Sequence, residues 1–264
     1  MANTRQKSLQ TSDPHAPLAG AAIIVTRPVG TSASLVDRAR KLGGRPILLP
    51  GLSLRASSHT GSVGAHDRFD DWIFTSPAAV RFGAKVWPRI RKRDRVFALG
   101  AGTARALARH GLRATTPRDR ADSEGLLALA ELTQVRGRRI ALVGAPGGRD
   151  LIAPTLRRRG AMVEAVHVYR RVPPRLARRH FDALSVARDP LFMLVSSGEA
   201  LTYLVTLLPA VELARLRGQI VVVSSARLVG VARENGFSEI VQARSAAPRD
   251  LLAAAASALA RHRL

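Results

Sequence analysis

The chain contains no cysteine, which removes disulfides, thiolate nucleophiles and Cys-based metal sites at once. Aromatic residues are scarce, 4% of the 264, with two Tyr and two Trp. Little material is therefore present for the base-stacking platforms of single-strand nucleic-acid binders. Acidic residues are few, 19 against 42 Lys plus Arg, and lysine itself is rare: only Lys7, Lys41, Lys85 and Lys92. Long apolar runs are absent as well. The longest, Leu251 to Ala260, is Ala-rich and about half a membrane span. Residues 1–20 are polar, interrupted by Pro14 and Pro17, with no apolar stretch of signal-peptide type, and read as a mobile tail. Together these absences describe a soluble, cytoplasmic protein with no membrane partner. What is present is an ordinary globular mixture, 46% hydrophobic and 23% charged, sufficient for one large domain or two modest ones. The net charge of +23 calls for an anionic partner, and nucleic acid is the first class to test.

Short apolar runs rich in β-branched residues alternate with helical patterns, which predicts α/β units and parallel sheets. The expected strands are Ala22–Thr26, Pro46–Leu49, Asp71–Thr75, Val96–Leu99, Arg139–Val143, Val163–Val168, Leu191–Ser196, Ile220–Ser224 and Glu239–Val241. The expected helices are Ser32–Leu42, Ala78–Trp87, Thr103–His110, Ser123–Thr133, Arg149–Arg159, Gly198–Leu207, Ala226–Asn235 and Arg249–Arg261. Gly43, Gly111, Gly160 and Gly236 each follow a cationic last turn, as helix C-caps do.

An internal repeat organises these elements. Ile24-Val25-Thr26-Arg27-Pro28, with its helix and following strand, matches Leu142-Val143-Gly144-Ala145-Pro146 with its own. A second block recurs: Ile73-Phe74-Thr75-Ser76 matches Leu194-Val195-Ser196-Ser197, and Val96–Leu99 matches Ile220–Val223. The blocks alternate in the order A–B–A–B, so the chain reads as two similar domains. The segments around Pro50-Gly51-Leu52-Ser53 and Tyr169-Arg170-Arg171-Val172-Pro173 look like crossings between them. That places residues 21–52 with 173–264 in a first α/β domain and 53–172 in a second, inserted one. A plain division near Arg136 is the alternative.

Familiar site motifs fail on inspection. Gly100-Ala101-Gly102-Thr103-Ala104-Arg105 begins like a dinucleotide fingerprint, but Arg105 stands where a third Gly is needed. Gly144 to Arg149 lacks the Gly-Lys-Ser/Thr ending of a P-loop, no Ser lies in a nucleophile elbow, and the seven His lack metal-ligand spacing. No metal is expected. What remains is a set of strand-to-helix turns built from small and hydroxyl residues: Thr26-Arg27-Pro28, Thr75-Ser76-Pro77, Gly100 to Thr103, Gly144 to Arg149, Ser196-Ser197-Gly198 and Ser224-Ser225. In parallel α/β sheets such turns lie at the carboxyl ends of strands, where ligands bind, and N–H groups at helix N-termini face anions there. Any single turn is accounted for by helix capping. Six of them across two repeated domains favour a ligand with several anionic groups, lying between the domains.

The turns Phe74-Thr75-Ser76-Pro77, Leu99-Gly100-Ala101-Gly102-Thr103, Asp122-Ser123-Glu124-Gly125-Leu126-Leu127 and Val168-Tyr169-Arg170 resemble those of the uroporphyrinogen-III synthase family. So do Val143-Gly144 through Gly147-Gly148-Arg149, Val195-Ser196-Ser197 and the Gly236-Phe237 ending. The resemblance runs from Ile23 to Leu259, and its specificity lies in the order and spacing of motifs that are individually weak. It implies two doubly wound parallel-sheet α/β domains joined by a two-stranded linker, the middle of the chain forming the second. It also implies a reaction: hydroxymethylbilane, a linear tetrapyrrole octacarboxylate, loses its hydroxyl as water to give an electrophilic azafulvene. Ring D then attacks through its already substituted carbon and recloses inverted by way of a spiro intermediate. Uncatalysed closure gives the type I isomer, so such an enzyme must orient the chain more than supply strong acid–base groups. No cofactor is implied, and a monomer in transient contact with hydroxymethylbilane synthase is expected.

By that resemblance Tyr169 matches the tyrosine thought to assist departure of the hydroxyl as general acid. Its residue type and its place at a domain crossing, two positions from His167, agree with such a role. The other tyrosine, Tyr203, lies on an apolar helix face and is expected in the core. Arg27 and Arg149 lead helices at ligand-facing turns and suit bidentate pairing with carboxylates. Thr75, Ser76, Gly102, Thr103, Gly147, Ser196, Ser197 and Ser225 complete the expected substrate-binding set. The Arg runs 89–95 and 175–179 read as solvated surface. A noncatalytic ligand-binding protein of the same fold and a basic nucleic-acid binder are the competing readings.

Overall fold

A strand covered by helices on both faces must be apolar at nearly every position. Ala22–Val25, Asp71–Phe74, Leu191–Val195 and Ile220–Val223 meet that condition, with every residue buried. The computed structural model describes residues 15–57, 68–85, 89–118, 120, 122–147 and 151–262. Its elements begin with β1 (Ala22–Val25), α1 (Ala33–Lys41), β2 (Arg45–Leu48) and β3 (Ser53–Ala56). They continue through β4 (Asp71–Phe74), α2 (Pro77–Phe82), β5 (Arg95–Ala98), α3 (Ala101–Ala108), α4 (Ser123–Leu127), α5 (Ala130–Thr133), β6 (Arg139–Gly144), α6 (Ile152–Arg158), β7 (Met162–His167) and β8 (Tyr169–Val172). The last part holds α7 (Arg178–Ser185), β9 (Leu191–Val195), α8 (Gly198–Leu207), α9 (Ala210–Arg217), β10 (Ile220–Val223), α10 (Ala226–Glu234), β11 (Ile240–Gln242) and α11 (Pro248–His262).

The chain divides into two compact units, Met1–Ser53 with Val172–Leu264, and Leu54–Arg171, so the division does not fall near Arg136. In the first unit the strands run β11-β10-β9-β1-β2, every neighbouring pair parallel. In the second they run β5-β4-β6-β7, again parallel, and Thr115 adds a single parallel bridge beside Phe97 on the β5 edge. The two orders match strand for strand, β10-β9-β1-β2 against β5-β4-β6-β7, with β11 and the Thr115 bridge in the same outer place. The β1–β2 pair comes first in its unit, whereas the matching β6–β7 pair comes last in the other. Each unit is thus a circular permutation of its sibling. β3 and β8 form a two-stranded sheet of their own.

Strand periodicity divides each core in two. In the first unit Ala22 and Ile24 pack with α8 and α10 through Leu201, Leu204 and Leu228. Ile23 and Val25 face the opposite way, onto Leu35 of α1 and Leu252 and Ala255 of α11. In the second, Trp72 and Phe74 pack toward Val80 of α2 and Leu107 of α3, while Ile73 and Phe97 meet Leu126 of α4 and Leu156 of α6. Helices on both faces make each sheet doubly wound.

One charged side chain interrupts this apolar regularity. Asp71 opens β4 with its carboxylate fully buried, held by Arg95 at 2.6 and 2.8 Å and by Arg138 at 2.7 Å to each oxygen. Arg95 is its register partner on β5, and Arg138 immediately precedes β6, so one carboxylate clamps three adjacent strands at their amino ends. Burial opposes ionisation of Asp71, but hydrogen bonds and charge from the two guanidinia outweigh it and hold the carboxyl below its usual range.

Several expectations need correction. Of residues 15–20, assigned to the tail, Leu18 and Ala19 are buried, and the Leu18 N–H bonds the Leu42 carbonyl at 2.8 Å, so the packed part of the chain begins before residue 21. Ser123–Thr133 is two helices, because Leu129 adopts extended backbone at φ −62, ψ 133 between them. α2 ends at Phe82 and passes into a 3-10 turn over Gly83–Lys85, with residues 86–88 outside the described set. α7 and α9 had no counterpart among the expected helices: the Arg175–Arg179 run masks the stripe of Phe181 and Leu184 in α7, and α9 buries only Leu216. β3 and β8 read as linkers because neither is apolar enough to signal a strand. In the 89–95 run, Arg91 and Arg95 are half-buried in ion pairs with Asp94 and Asp71 rather than solvated.

The Asp71 clamp gives a measurable pH dependence. Its native pKa is depressed, so its contribution is complete above the ordinary carboxyl value of about 4 and is lost as pH falls through the lowered native value. Asp71→Asn should destabilise the second unit by about 3–5 kcal/mol in urea unfolding at neutral pH. The variant should also show a flatter decline of stability on acidification.

Candidate active site

Parallel strands deliver their strand-to-helix turns to one sheet edge, the carboxyl edge. In the second unit that edge gathers Thr75-Ser76-Pro77 after β4, Gly100 to Thr103 after β5, Ala145-Pro146-Gly147 after β6, and Val168-Tyr169 after β7. Sheet order reverses between β4 and β6, where a crevice for ligands forms in folds of this kind.

Tyr169 occupies this edge. Val168 extends the β6–β7 ladder through its N–H to Gly144 O at 3.0 Å, then accepts the Ser57 N–H at 3.1 Å. The chain changes sheets at Val168, so the periodicity that would group Tyr169 with His167 stops there. The Tyr169 side chain is 4% exposed. Its ring stacks on Phe82, with centroids 5.6 Å apart at 24°, and the Arg81 guanidinium lies 4.6 Å from the far ring's centroid. Its Oη lies 3.1 Å from Ser76 Oγ, either atom being able to donate. Ser76 Oγ in turn accepts the Ala79 N–H at 3.0 Å and so caps α2, whose first residue is Pro77.

Around this pair the backbone is crowded. Thr75 sends both its N–H, at 3.1 Å, and its hydroxyl, at 3.2 Å, to the Val143 carbonyl across the reversal point. A Cβ on Gly144 would stand 2.5 Å from Thr75 Oγ1, so glycine there is a steric requirement. Gly102 is exposed, next to Pro77, and Thr103 is buried in the first turn of α3. Gly147 is exposed with φ +74, in a loop tied down by Arg171 Nη1 donating to Pro146 O at 3.1 Å. Arg149 lies outside the described residues.

The first unit carries the other expected residues on its own carboxyl edge. Thr26 is buried and its hydroxyl donates to Leu194 O at 2.7 Å, a tie across the β1–β9 reversal point that parallels the Thr75 tie. Arg27 is half-buried and donates to the Ala246 carbonyl; burial lowers its pKa from the ordinary value, and it has no acidic partner among the described residues. Ser197 caps α8 by accepting the Ala200 N–H at 3.3 Å. Ser225 stands at the N-cap of α10 with extended backbone but makes no side-chain cap bond. Ser196 and Ser225 hydroxyls have no hydrogen-bond partner among the described residues and remain available. Tyr203 is not core: it is half-exposed, donating to Glu199 Oε1 at 3.3 Å, and burial with the Glu199 charge raises its pKa.

The structure therefore brings Tyr169, Ser76 and Thr75 together, with Gly102, Thr103 and Gly147 on neighbouring turns of the same edge. Two contributors were missed in the sequence. Phe82 is one of only seven Phe and follows the Thr75-Ser76-Pro77 turn on the same helix, which was its available signal. Gly144 stands in the Gly144 to Arg149 turn of the sequence, but its close approach to Thr75 has no trace there. Among the described residues no group of three or more His, Asp or Glu is placed to hold a metal ion, and no helix is long and apolar enough to cross a membrane.

Residues 33–253 match the family described as "Uroporphyrinogen-III synthase HemD". The chain is 34% identical over 246 residues to a uroporphyrinogen-III synthase of Escherichia coli, covering 85% of this chain and 95% of that one. A putative uroporphyrinogen-III synthase of Methanothermobacter thermautotrophicus is 34% identical over 154 residues, covering 55% of this chain and 60% of that one. Among solved structures, the uroporphyrinogen-III synthetase of Helicobacter pylori shares the fold at TM-score 0.61 and 12% identity, covering 91% of this chain and 100% of that one. A mutant uroporphyrinogen III synthase of Thermus thermophilus does so at TM-score 0.54 and 20% identity, covering 92% and 100%.

The caps separate the serines by experiment. Ser76→Ala and Ser197→Ala should each lower stability by about 1 kcal/mol in denaturant unfolding. Ser196→Ala and Ser225→Ala should stay within about 0.5 kcal/mol of the parent.

Proposed function

The chain belongs to the uroporphyrinogen-III synthase family and is a cyclising lyase, and on that premise we propose how its residues carry the reaction. The substrate is hydroxymethylbilane, and the step to be controlled is loss of its hydroxyl as water followed by closure with ring D inverted. Tyr169 is the general acid. Its Oη gives a proton to the departing hydroxyl, which leaves as water. The proton returns when the reclosed, inverted ring D sheds the hydrogen of its previously unsubstituted α-carbon, the position that bonds last.

The observation that supports this role is the tie from Tyr169 through Ser76 to the cap of α2. Because Ser76 Oγ already accepts the Ala79 N–H, its own proton is available to the phenolate that forms. Stacking on Phe82 fixes the ring plane, and burial screens the O–H from bulk water, where one oriented donor counts for more. Phenol chemistry suits a general acid whose task is a single protonation.

Substrate carboxylates are received at the strand-end turns. In the second unit these are Thr75, Ser76, Gly102, Thr103 and Gly147; in the first they are Arg27, Ser196, Ser197 and Ser225, with Arg149 added from the sequence. Arg27 suits a carboxylate because its guanidinium has no acidic partner among the described residues and is half-desolvated, which strengthens any pair it makes. In this reading the protein is a cytoplasmic monomer that receives its labile substrate in transient contact with hydroxymethylbilane synthase. The rapid uncatalysed closure to the wrong isomer is what favours such a transfer.

The test is to supply the purified protein with hydroxymethylbilane, oxidise the product and separate the isomers. Type III product is expected; type I alone, at the uncatalysed rate, would remove the catalytic reading and leave a ligand-binding protein. Tyr169→Phe should lower kcat on the order of 10²-fold with little change in product affinity. Unchanged turnover would strip Tyr169 of its acid role. Since a +23 chain steers an octacarboxylate, kcat/KM should fall as ionic strength rises, with kcat nearly constant.

A further inference from the structure

The amino edge of the second unit's sheet, opposite the turns described above, carries a cationic concavity that the reaction does not use. It measures about 330 Å³ and is lined by Arg68, Asp70, Arg91, Arg93, Asp94 and Arg138. Asp70, Asp94 and Arg138 are the residues immediately before β4, β5 and β6, so the sheet itself sets their spacing.

Two of the four guanidinia are fixed from behind. Arg91 is bound through Nε to Asp94 Oδ1 at 3.0 Å and through Nη2 to the Phe69 carbonyl at 2.9 Å. Arg138 is bound through Nε and Nη2 to the buried Asp71 carboxylate. The Nη1 group of each has no acceptor among the described residues. The lining acids are engaged elsewhere: Asp94 Oδ2 accepts the Arg91 N–H at 2.9 Å and the Trp72 indole N–H at 3.3 Å, and Asp70 Oδ2 accepts the Arg139 N–H at 2.9 Å. Arg68 and Arg93 are exposed and make no hydrogen bond or ion pair among the described residues. The concavity thus has four Arg against two Asp; Asp70 Oδ1 is the one carboxylate oxygen of the lining with no donor among the described residues, and the remaining unfilled hydrogen-bonding capacity is guanidinium donor.

We propose that this concavity is a binding site for a small, doubly charged tetrahedral oxyanion: inorganic phosphate or the phosphate group of a small phosphomonoester. Fixed Nη1 donors from Arg91 and Arg138 form its floor, and Arg68 and Arg93 close over the anion. Forked guanidinium donors match phosphate oxygens, and pre-fixing two of them removes much of the ordering cost of binding. The volume suits a phosphomonoester and is too small for an octacarboxylate tetrapyrrole.

The experiment is isothermal titration of the full chain with inorganic phosphate and, separately, with glycerol phosphate. Buffers are phosphate-free and ionic strength is matched with sodium chloride. The expected result is saturable one-to-one binding, weakened at least about tenfold in Arg68→Ala/Arg93→Ala, with circular dichroism and type III product formation unchanged. Binding of phosphate alone would identify the free ion as the ligand, and tighter binding of the ester would identify a phosphorylated metabolite. Heats that do not saturate, or equal affinity in the double variant, would overturn the proposal. Should the double variant fail to fold, Arg93→Gln alone must still weaken phosphate binding.

Discussion

Parallel pairing is the constraint on which the rest depends. Two parallel strands cannot be joined by a hairpin, so the chain must cross back over the sheet before pairing again. In each unit that requirement sends the strand-to-helix turns to one edge and leaves the residues that begin the strands at the other. The first edge acquires small residues, hydroxyls and caps; in the second unit the other edge holds the Asp71 clamp and the arginine-lined concavity. The same constraint demands apolar residues on both faces of the strands. Polar chemistry is thereby confined to the strand ends.

The arginine content acquires a structural meaning in this setting. Arg159 donates from one nitrogen to the carbonyls of Leu127 and Leu132, near the ends of α4 and α5. Arg215 reaches Leu184 O and Ala187 O at the end of α7, Arg217 bonds Asn235 O at the end of α10, and Arg157 bonds Val163 O. A planar fork with five donors can satisfy several carbonyls left open at helix ends, which an ammonium does less well. Part of the large positive charge therefore follows from the choice of arginine as a stapling residue, and part remains on the surface as a field that attracts anions.

The fold was legible where burial leaves a periodic trace. All nine expected strands occur within a residue or so of their boundaries, because a doubly covered strand such as Leu191–Val195 has no polar position to confuse it. The repeat was legible for the same reason. The pieces that escaped carry little apolar signal: β3 and β8, whose backbone pairing does not depend on side-chain pattern, and α7, whose stripe is masked by arginines. At the site, hydroxyl turns were visible but their duties were not. Ser76 and Ser197 cap helices, Ser196 stands one residue before a cap position, and Ser225 holds a cap position without making the bond, distinctions that depend on where each helix starts and how each hydroxyl is turned. The Asp122 to Leu127 motif also has a structural duty: Asp122 accepts the Gly125 N–H at 2.8 Å, and a Cβ on Gly125 would stand 2.1 Å from the Arg120 carbonyl.

The permuted order of the two units bears on how the molecule is made. The second unit is one continuous stretch, Leu54–Arg171, and every strand of its sheet is in hand once that stretch leaves the ribosome. The first unit is not. Its β1–β2 pair is synthesised first, yet β1 lacks its neighbour β9 until more than half the chain has emerged, and one side of its ladder stays open meanwhile. Vectorial synthesis therefore imposes an order on assembly, middle first and ends last, with the earliest-made strands among the last to be fully enclosed. The very short β1, four residues long, limits the sticky edge exposed during that wait.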